Sequence, residues 1–260
     1  MRWLRYSLEG RTGYGILEGE TVEEVSGNPF DGYARSGRYQ PLAAVKIEVP
    51  VIPRTFYAAG LNYSGHVTAM AAQIGRKPDL PERAEIGYRA VNALIAQDEA
   101  IVIPKDATEN VQYEGELVVV IGRKAKSLSE ADALSCVLGY TIGNDVSERS
   151  WQKSDKTLWR AKNTDTFKPM GPWIETEVSL ETMETTVRLN GSTMIRFPTR
   201  SMVFGIAQFI SAMTRYLTLY PGDVIWMGTD GAAANIRPGD VVEVEIDGIG
   251  VLRNPVEAER

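Results

Sequence analysis

The chain has 260 residues, 43% of them apolar and 24% charged, with a formal net charge of −6. Such a length is one large domain or two small ones, and it buries most of its unfolded surface without needing staples. The acidic balance argues against a nucleic-acid partner, and the single cysteine, Cys136, rules out an intrachain disulfide and fits a reducing, cytoplasmic setting; no run of 18 apolar residues is present to span a membrane.

In chain order, MRWLRYSLEGR has no apolar run after its arginines and reads as a strand, not a signal peptide. Short β-like segments follow to about residue 48: RWLRYSLEG, GYGILEG, TVEEVSG and AAVKIEVP, separated by Gly, Asn and Pro. Gly13-Tyr14-Gly15 is followed by Gly19, one residue too late for a GxGxxG nucleotide loop, and reads as a hairpin. Pro50 and Pro53 bracket a junction, which gives a small β module over residues 1–50 and a main domain over 51–260. FYAAGLNYSGH runs from a strand into a loop. Residues 66–88 mix small residues, charges, Pro78 and Pro81, and they predict a lid or binding loop.

Ser127-Leu128-Ser129-Glu130 has capping-box spacing before ADALSCVL, a short helix ending at Gly139. Asn190-Gly191 between TTVRL and STMIRF predicts a tight hairpin turn. Met202, Val203, Ile206, Phe209, Ile210 and Met213 recur at helical spacing. Two Pro-Gly-Asp-Val turns, at 221–224 and 238–241, each launch an apolar strand. Many strands, few helices and no βαβ alternation predict an α+β fold.

The inventory of reactive groups is short. His66 is the sole histidine, so neither a His-rich zinc site nor a CxxC site can be built. There is no GxSxG elbow and no GK pair for a Walker loop. Chemistry is left to carboxylates, lysine, arginine or His66. VQYEGELVVVIGRK, residues 111–124, predicts a strand, and alternation puts Glu114 and Glu116 on one face that turns apolar directly afterwards. Two carboxylates about 7 Å apart on a half-buried face repel and lose hydration, and a divalent cation would relieve both. Two solvated glutamates on an edge strand would give the same pattern. Gly115 between them leaves room for close approach on the opposite face. GYTIGNDVSERSWQ predicts a strand ending at Asp145, where a ligand or catalytic group is commonly placed. Arg149, Gln152 and Lys162 follow within 17 residues and would orient an anionic substrate, unless they form a solvated loop. A set of carboxylates without His or Cys suits Mg²⁺ or Mn²⁺, with Ca²⁺ also accepted by oxygen ligands.

With these residues, the chain resembles the fumarylacetoacetate hydrolase family over roughly residues 51–260. The matching stretches are Gly60-Leu61-Asn62-Tyr63 with His66, YEGELVVVIGRKAKSLSEADAL, GYTIGNDVSERSWQ, AKNTDTFKPMGPWI, TLYPGDVIWMGT and VVEVEIDGIGVLRNPV, in family order. The resemblance implies a mixed β-roll domain beside a small N-terminal β module, and a homodimer. It implies an ion held by Glu114, Glu116 and Asp145. His66 and Lys162 take the catalytic positions, and Tyr63, Arg149, Gln152 and Thr229 those near the substrate. Family substrates are 2-oxo acids or acylpyruvate-like compounds, often from aromatic-ring breakdown. Outcomes are isomerisation, C–C hydrolysis or decarboxylation, with a catalytically silent binder as the alternative. Three departures concern the lid. Ala69 stands where hydrolytic members carry a glutamate, IGYRAVNAL replaces the usual F-x-K-P stretch with Arg89 as its nearest cation, and GTPxG reads Gly228-Thr229-Asp230-Gly231.

A 2-oxo acid chelates a cation through its carboxylate and keto oxygens, and the cation stabilises the enolate that follows. Lys162 adds positive charge near the developing oxyanion, and His66 moves a proton at neutral pH. Without a carboxylate at position 69, His66 needs Glu82 or Glu85 as a partner for hydrolysis. Otherwise proton transfer by an isomerase or tautomerase is the expected reaction.

Overall fold

The computed structural model describes residues 1–73, 77–232 and 234–260; the side chains of His66, Ala69, Met70, Ala72 and Gln73 lie outside the described set. The chain begins with an antiparallel meander, β1 (Arg2–Leu8), β2 (Arg11–Glu18), β3 (Thr21–Asn28) and β4 (Gly32–Pro41), and β5 (Lys46–Ile47) adds to β1. Then come β6 (Phe56–Gly60), α1 (Ser64–Gln73), β7 (Glu85–Tyr88), β8 (Leu94–Ile95), β9 (Ile101–Ile103), β10 (Val111–Gln112) and β11 (Gly115–Ile121). After these lie α2 (Glu130–Ala133), β12 (Val137–Asn144), β13 (Ser147–Glu148), α3 (Arg149–Gln152), β14 (Lys168–Glu175), β15 (Glu184–Leu189) and β16 (Ser192–Pro198). The chain closes with α4 (Ile206–Tyr216), β17 (Val224–Trp226), β18 (Val241–Ile246) and β19 (Gly250–Ala258).

Among the described residues, twelve strands form one sheet in the order β4-β3-β2-β1-β14-β12-β11-β17-β6-β7, with β5 and β8 attached to it. A second sheet, β16-β15-β18-β19-β9, packs across it. This is the strand-rich α+β architecture that the sequence predicts. The meander joins the main sheet through β1 and β14, with Trp3 opposite Ile174.

β11 is buried along its whole length because both of its faces meet core. Leu117, Val119 and Ile121 pack with Val187 and Val244 of the second sheet and with Phe209, Ile210 and Met213 of α4. Val118 and Val120 pack on the other side with Phe56, Trp226 and Ile174. A Cβ on Gly115 would lie 2.7 Å from Val187, so the second sheet does approach closely there.

Several local expectations are corrected. The segment at 66–88, expected as a lid or binding loop, carries regular structure among its described residues: α1 covers its start and β7 pairs with β6 at its end. The Ala- and Met-bearing run SGHVTAMAAQ favours helix, and Pro78 and Pro81 lie beyond it. Residues 111–124 break at Tyr113-Glu114 into two strands. Ser129, not Ser127, caps α2, and helical structure stops at Cys136, so Gly139 lies inside β12. Gly13 to Gly15 sit within β2, and the turn before it is at Glu9-Gly10. β4 was not foreseen, because most of its residues are exposed and polar. Met202 and Val203 precede α4, which buries Ile206, Phe209, Ile210 and Met213. The Asn190-Gly191 turn is as expected, with both residues at positive φ.

Candidate active site

The break between β10 and β11 builds the site. Asn144 Oδ1 accepts the Glu114 N–H at 2.9 Å, and the Asp145 N–H donates to the Glu114 carbonyl at 2.9 Å. These two bonds replace the ladder that Glu114 would have made inside a strand. Gly143 comes just before, and a Cβ there would lie 2.6 Å from the Trp226 ring. The indole therefore covers β12 where Asn144 and Asp145 emerge. Glu116, one residue into β11, accepts the Gly228 N–H at 2.8 Å. Gly228 lies just past β17 with φ +87°, a conformation glycine adopts without strain.

Glu114, Glu116 and Asp145 converge, all buried, with one ligand oxygen from each within 4.8 Å of the others. Cations surround them. Lys162 Nζ lies 2.6 Å from Glu114 Oε2 and 2.9 Å from Asp145 Oδ2. Arg149 Nη2 is 2.6 Å from Glu114 Oε1, and the same guanidinium donates to Gln112 and Gln152. Arg89 Nη2 meets Asp145 Oδ2 at 2.8 Å, and Lys168 Nζ meets Asp145 Oδ1 at 2.7 Å.

The carboxylates are electrostatically unequal. Burial, reinforced by Asp145 and Glu114, pushes the Glu116 carboxyl up to about 8. Burial raises Asp145 too, but Arg89, Lys162 and Lys168 outweigh it and hold Asp145 well below the usual range. Burial brings the Lys168 ammonium down to about 7, against the pull of Asp145. An all-oxygen donor set in which one carboxylate is still under-compensated fits a hard divalent ion.

The structure brings Arg149 and Lys162 to Glu114, Gln152 accepts from Arg149, and Thr229 is buried next to Gly228. Tyr63 is buried near Glu116. Its ring packs edge-on against Phe197, and its hydroxyl lies 3.5 Å from the Thr199 carbonyl. Burial, with Glu116 and Asp230 nearby, raises that phenol. His66 belongs to α1, but its side chain lies outside the described residues. Glu82 is exposed, and Glu85 is exposed and ion-paired with Arg83 at 3.0 Å.

Sequence reasoning missed Lys168 and did not give Arg89 a place on Asp145. For Lys168 the signal was a charge embedded in the otherwise apolar run Phe167 to Ile174. For Arg89 no local signal exists, because its position depends on β7 pairing with β6.

The fold agrees with the comparisons to known proteins. Residues 55–257 match the family described as fumarylacetoacetate (FAA) hydrolase C-terminal, and residues 1–50 match an Rv2993c-like N-terminal family. The chain belongs to the fumarylacetoacetate hydrolase family. It is 37% identical to protein Rv2993c of Mycobacterium tuberculosis, over 91% of this chain and 88% of that protein. It is 32% identical to the mitochondrial oxaloacetate tautomerase FAHD2A of Bos taurus, over 96% of this chain and 86% of that protein. The crystal structure of a 5-carboxymethyl-2-hydroxymuconate delta-isomerase from Mycobacterium smegmatis superposes with a TM-score of 0.90, at 35% identity and over the whole of both chains. Its relatives thus include family isomerases and tautomerases of oxo acids.

Proposed function

We propose that this chain is a divalent-metal-dependent enzyme that enolises a small 2-oxo acid, with proton transfer, as tautomerisation or isomerisation, as its main outcome. The convergence of Glu114, Glu116 and Asp145 within a ring of cations carries this reading. Mg²⁺ or Mn²⁺ held by those three would supply Lewis-acidic charge that favours the enolate form of the substrate. Lys162 adds an ammonium beside the oxygen that gains charge. Arg149, its guanidinium fixed by Gln112 and Gln152, binds an anionic part of the substrate, and the Thr229 hydroxyl is a further substrate contact. Arg149 and Lys162, the two cations on Glu114, favour an anionic substrate. His66, in the first turn of α1, moves the proton, and Tyr63 forms part of the buried wall.

C–C hydrolysis or decarboxylation is the second reading. It needs a carboxylate to orient the base, and the surface pairing of Glu85 with Arg83 favours proton transfer instead. We place the enzyme in the cytoplasm, acting on intermediates of aromatic breakdown.

Chelation with EDTA should abolish C-3 proton exchange on oxaloacetate or an acylpyruvate, and Mg²⁺ or Mn²⁺ should restore it. In Glu116→Ala neither ion should restore it. Full activity of Glu116→Ala after exhaustive chelation would contradict the reading. Oxalate binding without any turnover by wild type would point to a silent binder.

A further inference from the structure

Lys168 is fully buried at the start of β14. Its Nζ lies 2.9 Å from the Val146 carbonyl, 2.8 Å from the Phe167 carbonyl and 2.7 Å from Asp145 Oδ1. A neutral amine offers two protons and a lone pair, whereas three surrounding oxygens match the three protons of an ammonium. One carboxylate and two backbone carbonyls are also the kind of oxygen set that holds a small bare cation.

The location matters as much as the ligands. Val146 follows Asp145 at the end of β12, and Phe167 leads into β14. The Val146 N–H donates to the Phe167 carbonyl at 3.1 Å, so the lysine closes a junction between two chain segments. Lys162 and Arg89 Nη2 both sit on Asp145 Oδ2. Oδ1 receives Lys168 at 2.7 Å and Arg89 Nε only at 3.3 Å. Lys168 is therefore the closest partner of that oxygen.

We infer that Lys168 is a resident monovalent cation, tethered to the chain, that fixes the orientation of Asp145. It is a positioning residue and touches no substrate. The inference rests on the reading of Asp145 as part of the ion-holding site.

Removal of the side chain should leave a hole that a small ammonium ion can fill. In Lys168→Ala the melting temperature should fall by roughly 6–12 °C, the effect of breaking a buried ion pair in a chain of this size. Methylammonium chloride should recover it saturably and tetramethylammonium chloride should not, while wild type responds to neither. Turnover for C-3 exchange should fall about 10-fold or more, with KM changing less, and methylammonium should restore it. Lys168→Met, whose side chain fills the space, should lose stability and turnover without rescue.

Lys168→Ala that folds only with methylammonium supports the inference. Lys168→Ala that folds in neither salt, melts like wild type, or responds alike to both salts overturns it. So does Lys168→Met with wild-type melting and turnover. Wild type that shows no exchange sinks the functional reading instead, and the melting experiment still decides the role of Lys168.

Discussion

Glu116 is the least compensated charge of the cluster, and that has a pH signature. Its folded pKa is raised from 4.5 to about 8, so the ion-free folded chain keeps a proton that the unfolded chain has lost. The stability this contributes is fully present below about pH 4.5 and is lost as pH rises through about 8, at up to about 1.4 kcal/mol per pH unit. Lys168, lowered from 10.5 to about 7, acts oppositely and only above about pH 7. Between pH 5 and 7, melting in EDTA should therefore show wild type losing stability, and Glu116→Gln should show a flatter profile. Equal slopes in the two proteins would remove Glu116 as the source. Glu114, Glu116 and Asp145 stood out locally as paired acids and a strand-end acid, but it was the family resemblance that joined them into one set, since the strand expected to align the two glutamates breaks at Glu114. Lys168 and Arg89 were not legible, because the oxygens they meet come from segments remote in sequence or from a pairing that sequence does not reveal.

β12 is the element that turns sequence into a site. It carries Gly143, which makes room for Trp226, and then Asn144 and Asp145, which clamp Glu114. Gly143→Ala would press a methyl group into the indole, at a cost of about 1–3 kcal/mol. Calorimetric melting should register that loss, and Mn²⁺ titration should show weaker binding as Asp145 shifts. Unchanged melting and Mn²⁺ affinity would show that β12 yields without disturbing the cluster. Elements whose pattern is local, such as α4 and the Asn190-Gly191 hairpin, were legible. The break at Glu114 was not, because an Asn144 side chain takes over its backbone bonding. β4 was missed because an exposed strand lacks the apolar alternation that marks a half-buried one.

At the scale of the molecule, β11 lies inside the main sheet with the second sheet packed on one of its faces, and β1 extends the main sheet at β14. The division at residue 50 is a proposal about this continuous sheet, as is the homodimer. Sedimentation should give about twice the 28.7 kDa of one chain, and a single-chain mass at working concentration would count against a dimer. Among the described residues no helix is long and apolar enough to cross a membrane. The reaction proposed for this buried carboxylate cluster, loaded with a divalent ion, is enolisation of a 2-oxo acid. The most direct measurement follows oxaloacetate and a panel of acylpyruvates by NMR in D₂O, with a parallel ¹⁸O-water arm, for Mn²⁺-loaded and chelated protein. Rapid C-3 deuterium exchange is expected from the loaded protein alone, with little cleaved product and little ¹⁸O incorporated into product carboxylate. Efficient cleavage that is lost in Glu82→Ala or Glu85→Ala, or exchange that persists after chelation, would contradict the proposal.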